Sequence, residues 1–196
     1  MLEKPRTLIA LTLLAVLLLI AVPPAALRLW NGEPYPPARP DAVAARLKDR
    51  SRTVYDAFGL PAGTPVRTHR VDSYGCAYRG LRSLAHIDGT RVDVRRFSVR
   101  WEVPAVPEDT ARAALRRLRE RLAAGGWSVT QDLSREGAGS TSLSLTFQRP
   151  GDEDSIHVAW YDTTTTLFVS VYGSGCGELP AGFDEYAWEA AQWRIR

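Results

Sequence analysis

The residues able to do chemistry are few and scattered. Cys76 and Cys176 are the only cysteines. In an oxidising compartment an even pair normally forms a disulfide, and only one intramolecular pairing exists. It would close a loop of about 100 residues, worth ~4.7 kcal/mol in the chain-entropy model. Neither cysteine lies in a Cys-x-x-Cys motif, so a reactive thiol or a metal pair is the weaker reading. His69, His86 and His157 stand at no ligand spacing from one another or from acids. His69, Asp72 and Ser73 form the only local grouping with the residue types of a base, an acid and a nucleophile. Gly173-Ser-Gly-Cys-Gly177 has the composition of a phosphate loop. It leads into Glu178-Leu-Pro180, however, and not into a helix N-terminus whose free N–H groups would hold an anion. A disulfide-bearing turn fits better. Asp152-Glu153-Asp154 offers oxygens to Ca²⁺, but three consecutive acids cannot all face one ion, so a solvated hairpin turn is expected. There is no H-E-x-x-H, Walker loop, G-x-G-x-x-G or G-x-S-x-G. No metal, cofactor or catalytic centre is expected.

Arg112, Arg116, Arg117, Arg119 and Arg121 share one stretch. At 100° per residue they spread over the side opposite a Leu stripe, as on any solvated helix face. Of 25 basic residues, all but Lys4 and Lys48 are Arg, and 22 acids are interleaved with them for a net charge of +3. A nucleic-acid surface would concentrate its charge, so no nucleic acid is expected as a partner. Trp101, Trp127 and Trp160 read as core. Trp188 and Trp193 either pack a terminal helix down, which is preferred, or form with Arg194 and Arg196 an exposed contact surface of the residue types common in interface hot spots.

The elements that must position these residues follow from periodicity. Asp41 to Phe58 predicts a helix with Asp41 as N-cap and Gly59 as its stop. Residues 60 to 90 give weak signals, with a short strand over Val66 to Val71. Phe97, Val99, Trp101 and Val103 alternate with polar residues in a strand from Arg91. Val92 and Val94 fall on the other phase, which a bulge near Arg95-Arg96 would explain. Pro107 to Ala124 predicts a helix burying Ala111, Leu115, Leu118 and Leu122 and ending at Gly125-Gly126. Four alternating segments follow: Trp127 to Leu133, Ser140 to Gln148, Ser155 to Tyr161 and Thr165 to Tyr172. A last helix over Phe183 to Arg196 would be capped by Asp184, with Phe183 and Trp188 as a staple. The expected fold is α+β with two layers. Its mostly antiparallel sheet has the order β-α-β-β-β-β, with one main packing helix plus N- and C-terminal helices.

Residues 1–6 carry Lys4 and Arg6, and Leu8 to Leu27 is uncharged with Thr12 its one polar residue. About 20 apolar residues span a ~30 Å hydrocarbon core as a helix. The expected organisation is a cytoplasmic tail at 1–6, a transmembrane anchor at 7–30, a Pro-rich spacer at 31–40 and an extracytoplasmic domain at 41–196. Pro23 and Pro24 shorten the clean helix to signal-peptide length. The alternative is therefore cleavage and secretion, although Ala21 to Ala26 offers no small-x-small site free of proline. Trp30 and Tyr35 could sit at the membrane interface, and basic residues ahead of the span place the domain outside. No Cys precedes Cys76, which excludes an N-terminal lipoprotein anchor. Four prolines between Asn31 and Pro40 predict a semi-rigid spacer that lifts the domain off the surface.

One N-terminal span, a Pro-rich spacer, a small two-Cys domain and a helix ending in Gly125-Gly126-Trp127 together resemble the outline of single-pass membrane-anchored proteins of high-GC Gram-positive bacteria. The resemblance implies no activity and supplies no site residue. The function expected is a non-catalytic binding or structural module at the cell envelope, held to the membrane by its N-terminal helix and meeting an envelope protein or wall polymer. The alternative is a small cell-wall or lipid hydrolase.

Overall fold

A computed structural model describes residues 24–61, 63–137, 140–173 and 175–192. The expected α+β fold is present. Residues 24–31 are helical (α1). They are followed by α2 (Pro40–Phe58), β1 (Arg67–Ala77), α3 (Arg82–Ala85), β2 (Thr90–Val103), α4 (Glu108–Ala124), β3 (Ser128–Asp132), β4 (Arg135–Gly137), β5 (Ser140–Arg149), β6 (Asp152–Tyr161), β7 (Thr166–Tyr172), β8 (Gly177–Glu178) and α5 (Glu185–Gln192). The sheet runs β1-β2-β7-β6-β5-β3, with β4 on β5 and β8 on β2.

Strict alternation divides this sheet into a covered and an uncovered face. Val71, Val99, Val171, Ile156, Phe147 and Val129 face one another across all six main strands. Beside them run Trp101, Val169, Val158 and Leu145, then Val103, Leu167, Trp160 and Leu143. Leu47, Val54 and Phe58 of α2 and Leu115, Leu118 and Leu122 of α4 close over these rows in one core cluster. Phe58 and Tyr55 each meet the Trp101 ring edge-on at 5.8 Å. Trp101, Trp127 and Trp160 are buried as expected, and Trp160 Nε1 donates to Val106 O at 2.8 Å. Gly59 stops α2 in the left-handed conformation, φ +56°.

Several expectations need correction. Asp41 does not cap α2, which begins at Pro40 without a side-chain cap; its carboxylate accepts instead from Trp188 Nε1 at 2.7 Å. The strand expected over Val66 to Val71 is longer, Arg67–Ala77, because polar residues occupy both of its faces, Asp72 on one and Ser73 on the other, and no alternation in hydrophobicity marks it. The slip in β2 is real. Gly75 pairs with Arg95 but Cys76 pairs with Arg91, so Val92 to Val94 bulge out. Asp154 is not part of a solvated turn. It is fully buried on the same strand phase as Ile156, and Arg46 and Arg50 of α2 bond it at 3.2 and 2.8 Å. Asp184 does cap α5, accepting from Ala187 N at 2.9 Å, and Phe183 and Trp188 meet at 5.8 Å.

The N-terminal side departs most from expectation. The segment 31–40 is laid along the domain and does not stand off it: Ala38 N donates to Glu178 O at 2.7 Å and Glu178 N to Pro36 O at 2.8 Å. Tyr35, expected at a membrane interface, is buried with Cys76 and Val94, its hydroxyl donating to Ala77 O at 2.7 Å. The expected anchor falls largely on residues 1–23, which lie outside the described residues. Among the described residues no helix is long and apolar enough to cross a membrane.

Candidate functional site

Helices α2, α4 and α5 pack on one sheet face, and the polar phase of the strands lies on the other. Successive side chains of a strand point to opposite faces, and register carries each pair across. Arg70, Arg100, Ser170, His157, Thr146 and Gln131 make one such row. Glu102, Phe168, Ala159 and Ser144 make the next. On the other side run Asp72, Ser98, Tyr172, Ser155 and Gln148.

Asp72 organises the β1 side of this face. Its carboxylate is nearly buried and accepts from Arg100 Nε at 2.7 Å and from Arg70 Nε. Burial works against the Arg100 charge, but the hydrogen bond and charge of Asp72 outweigh it and raise its pKa. Arg100 also lies 5.7 Å from the Tyr74 ring centre, and Arg96 5.5 Å from that of Tyr172. Beside them a shallow groove of 320 Å³ is lined by Arg70, Arg100, Glu102, Phe168 and Ser170. Farther across, His157 is half-buried, and burial holds its imidazole below the ordinary value. Ser144 Oγ lies 3.2 Å from His157 Nε2. Guanidinium forks, hydroxyls, a neutral imidazole and aromatic rings are thus spread over a broad face without a deep cleft.

The residues singled out from sequence are separated by the fold. Asp72 and Ser73 are adjacent in β1 and therefore face opposite ways. Asp72 is held by two arginines, whereas Ser73 Oγ lies between the carboxylates of Glu189, at 2.8 Å from Oε1, and Glu185 on the covered side, with one proton to donate to either. Asp72 and Ser73 therefore share no site, and the side chain of His69 lies outside what the structure describes. Cys76 and Cys176 are disulfide-bonded, with Cα atoms 6.1 Å apart. The glycine-rich stretch carries that bond, and Gly177 packs against Ala38 so closely that a Cβ would lie 2.8 Å from Ala38 Cβ. Trp188 is taken up by the core, stacking edge-on with Phe97 at 5.2 Å. It is therefore unsuited to an exposed contact surface. Trp193, Arg194 and Arg196 lie outside the described residues. No group of three or more His, Cys, Asp or Glu placed to hold a metal occurs among the described residues.

No family model, curated protein or solved structure matches the chain. The uncovered face was missed in the sequence because its members come from six strands whose order is not sequential. Its only local signal is the polar phase of each strand, as in Ser142, Ser144 and Thr146, which reads equally well as ordinary solvent exposure.

Proposed function

We propose that the protein is a non-catalytic binding module at the outer face of a membrane, held there by its N-terminal apolar run and meeting another envelope protein through the uncovered face of its sheet. The observation that carries this reading is the row Arg70, Arg100, Ser170, His157 and Thr146, set side by side across five strands on the face opposite α2 and α4. Five strands spaced about 4.8 Å apart present a face roughly 20 Å across, broad enough for a protein and too open to enclose a small molecule. Arg and Tyr are the side chains that anchor protein interfaces. The disulfide supports an oxidising location.

Photocrosslinking of the tagged full chain in its native membrane tests this reading. Thr146→Arg and Ser170→Arg, both on the face, should abolish recovery of a crosslinked protein. Arg116→Glu, on the exposed side of α4, should preserve it. Equal recovery from all three variants defeats the assignment.

A hydrolase is the second reading, favoured by one contact, Ser144 Oγ to His157 Nε2 at 3.2 Å. A neutral histidine beside a hydroxyl can act as its base. Turnover of a wall or lipid ester by the purified chain, lost in Ser144→Ala with folding intact, would establish it in place of the binding reading.

A further inference from the structure

Six of the eleven exposed large apolar and aromatic side chains among the described residues gather at one end. Leu27, Leu29 and Trp30 of α1 lie 51 to 64% exposed; Leu81, Leu84 and Ile87, in and beside α3 at the tip of the β1–β2 hairpin, lie 43 to 80% exposed. Among the described residues only one other Leu or Ile is exposed, Leu133. Isolated exposed leucines are ordinary, but a contiguous apolar patch marks a surface that something covers.

The two halves of the patch are fixed to each other through backbone. Leu81 N donates to Leu29 O at 3.0 Å. Gly80 adopts φ +62°, and a Cβ there would lie 2.6 Å from Leu29 O and 2.7 Å from Trp30 O. Only glycine lets the hairpin tip approach α1 this closely. The tip is braced from within: His86 stacks on Tyr78 at 4.2 Å, and the Arg82 guanidinium lies 4.8 Å from the Tyr78 ring centre.

Chain continuity identifies what covers the patch. Leu27 ends the uncharged run that begins at Leu8, and Leu29 and Trp30 extend it into the patch. Segment 31–40 has little slack: Arg79 donates to Glu33 O and Pro34 O, Tyr35 donates to Ala77 O, and residues 36–38 are bonded along β8. Whatever surrounds the apolar run is therefore within reach of Leu81, Leu84 and Ile87. Arg28, Arg79 and Arg82 flank the same end, and Trp with Arg beside Leu and Ile is the composition of a membrane interface.

We propose that the hairpin tip is a second membrane contact: Leu81, Leu84 and Ile87 enter the lipid interface beside α1, so that the domain lies on the bilayer in one fixed orientation. This rests on the reading of residues 8–27 as a membrane anchor, and it replaces a domain held off on a spacer with one seated directly on lipid.

The test uses the full chain in phosphatidylcholine–phosphatidylglycerol vesicles. Ile87, or in a second preparation Leu133, is replaced by an environment-sensitive fluorescent amino acid, which leaves the cysteines untouched. Flotation is measured first. In floating vesicles the probe at 87 should be blue-shifted and quenched several-fold more strongly by brominated lipid than the probe at 133. A chain that does not float overturns the anchor reading and this proposal with it. A floating chain whose probe at 87 is quenched by aqueous iodide as readily as that at 133 overturns this proposal alone. A blue shift at 87 without lipid quenching, growing with protein-to-lipid ratio, would assign the patch to a second copy of the chain and likewise overturn it.

Discussion

Trp188 and Asp41 are 147 residues apart in sequence, yet the indole Nε1 donates to the carboxylate at 2.7 Å. The bond ties the first turn of α2 to the middle of α5 and satisfies a donor that would otherwise be buried against Phe97 and Phe183. Asp41→Ala removes the acceptor and leaves the indole N–H unpaired. It should cost about 1–3 kcal/mol in urea unfolding. A loss within experimental error would mean that water replaces the carboxylate.

The buried carboxylate of Asp154 should matter more. It is fully buried, whereas Arg46 and Arg50 are 44% and 22% exposed at the side chain. Removing one partner of a buried pair costs about 3–5 kcal/mol when the other charge is trapped. Here both guanidiniums can turn towards water, which reduces the penalty, so Asp154→Asn should cost about 2–3 kcal/mol. Equal stability of variant and wild type would show that the pair only balances its own desolvation.

Cys76→Ser or Cys176→Ser should lower stability by up to ~4.7 kcal/mol through the released loop, with the double variant no worse than either single one. Guanidinium unfolding with and without reductant checks this. A much smaller loss would point to residual structure in the reduced unfolded chain.

Stability should also fall in mild acid through His157. Burial keeps its folded-state pKa below the ordinary value, while the unfolded chain titrates near ~6.5. Between these two values the unfolded state binds more protons, so the contribution is complete above about pH 6.5 and is lost as pH drops towards the folded value. His157→Gln should flatten the change in urea midpoint between about pH 7.5 and 5.5. Parallel profiles would assign the dependence to other groups.

Leu118 is fully buried beneath the sheet, and Leu118→Ala should cost ~2–5 kcal/mol. A change below ~1 kcal/mol would mean that the cavity collapses almost freely.

What the sequence disclosed was local. Phe97 to Val103 and the stripe Ala111, Leu115, Leu118 and Leu122 announce themselves by period, because each faces one core. The Asp184 cap and the Phe183–Trp188 staple are equally local. Asp154 was misread because an acidic triplet looks solvated until arginines one helix away are known. Tyr35 and the proline-rich segment were misread because proline favours extension without saying whether the extended chain lies free or against a strand. The polar face needed strand order, which no pattern within one strand contains.

That strand order has its own consequence. β7, the last long strand to be made, lies between β2 and β6 in the middle of the sheet. Deleting the residues after Tyr161 would therefore split the domain down its centre instead of trimming an edge. The β1–β2 hairpin must wait with one edge unpaired while α4 and the next strands are made, and the long loop this closes slows assembly. During that interval Val99, Trp101 and Val103 offer an apolar strand to any passing chain. A newly made chain is most open to mispairing just before its final strand arrives.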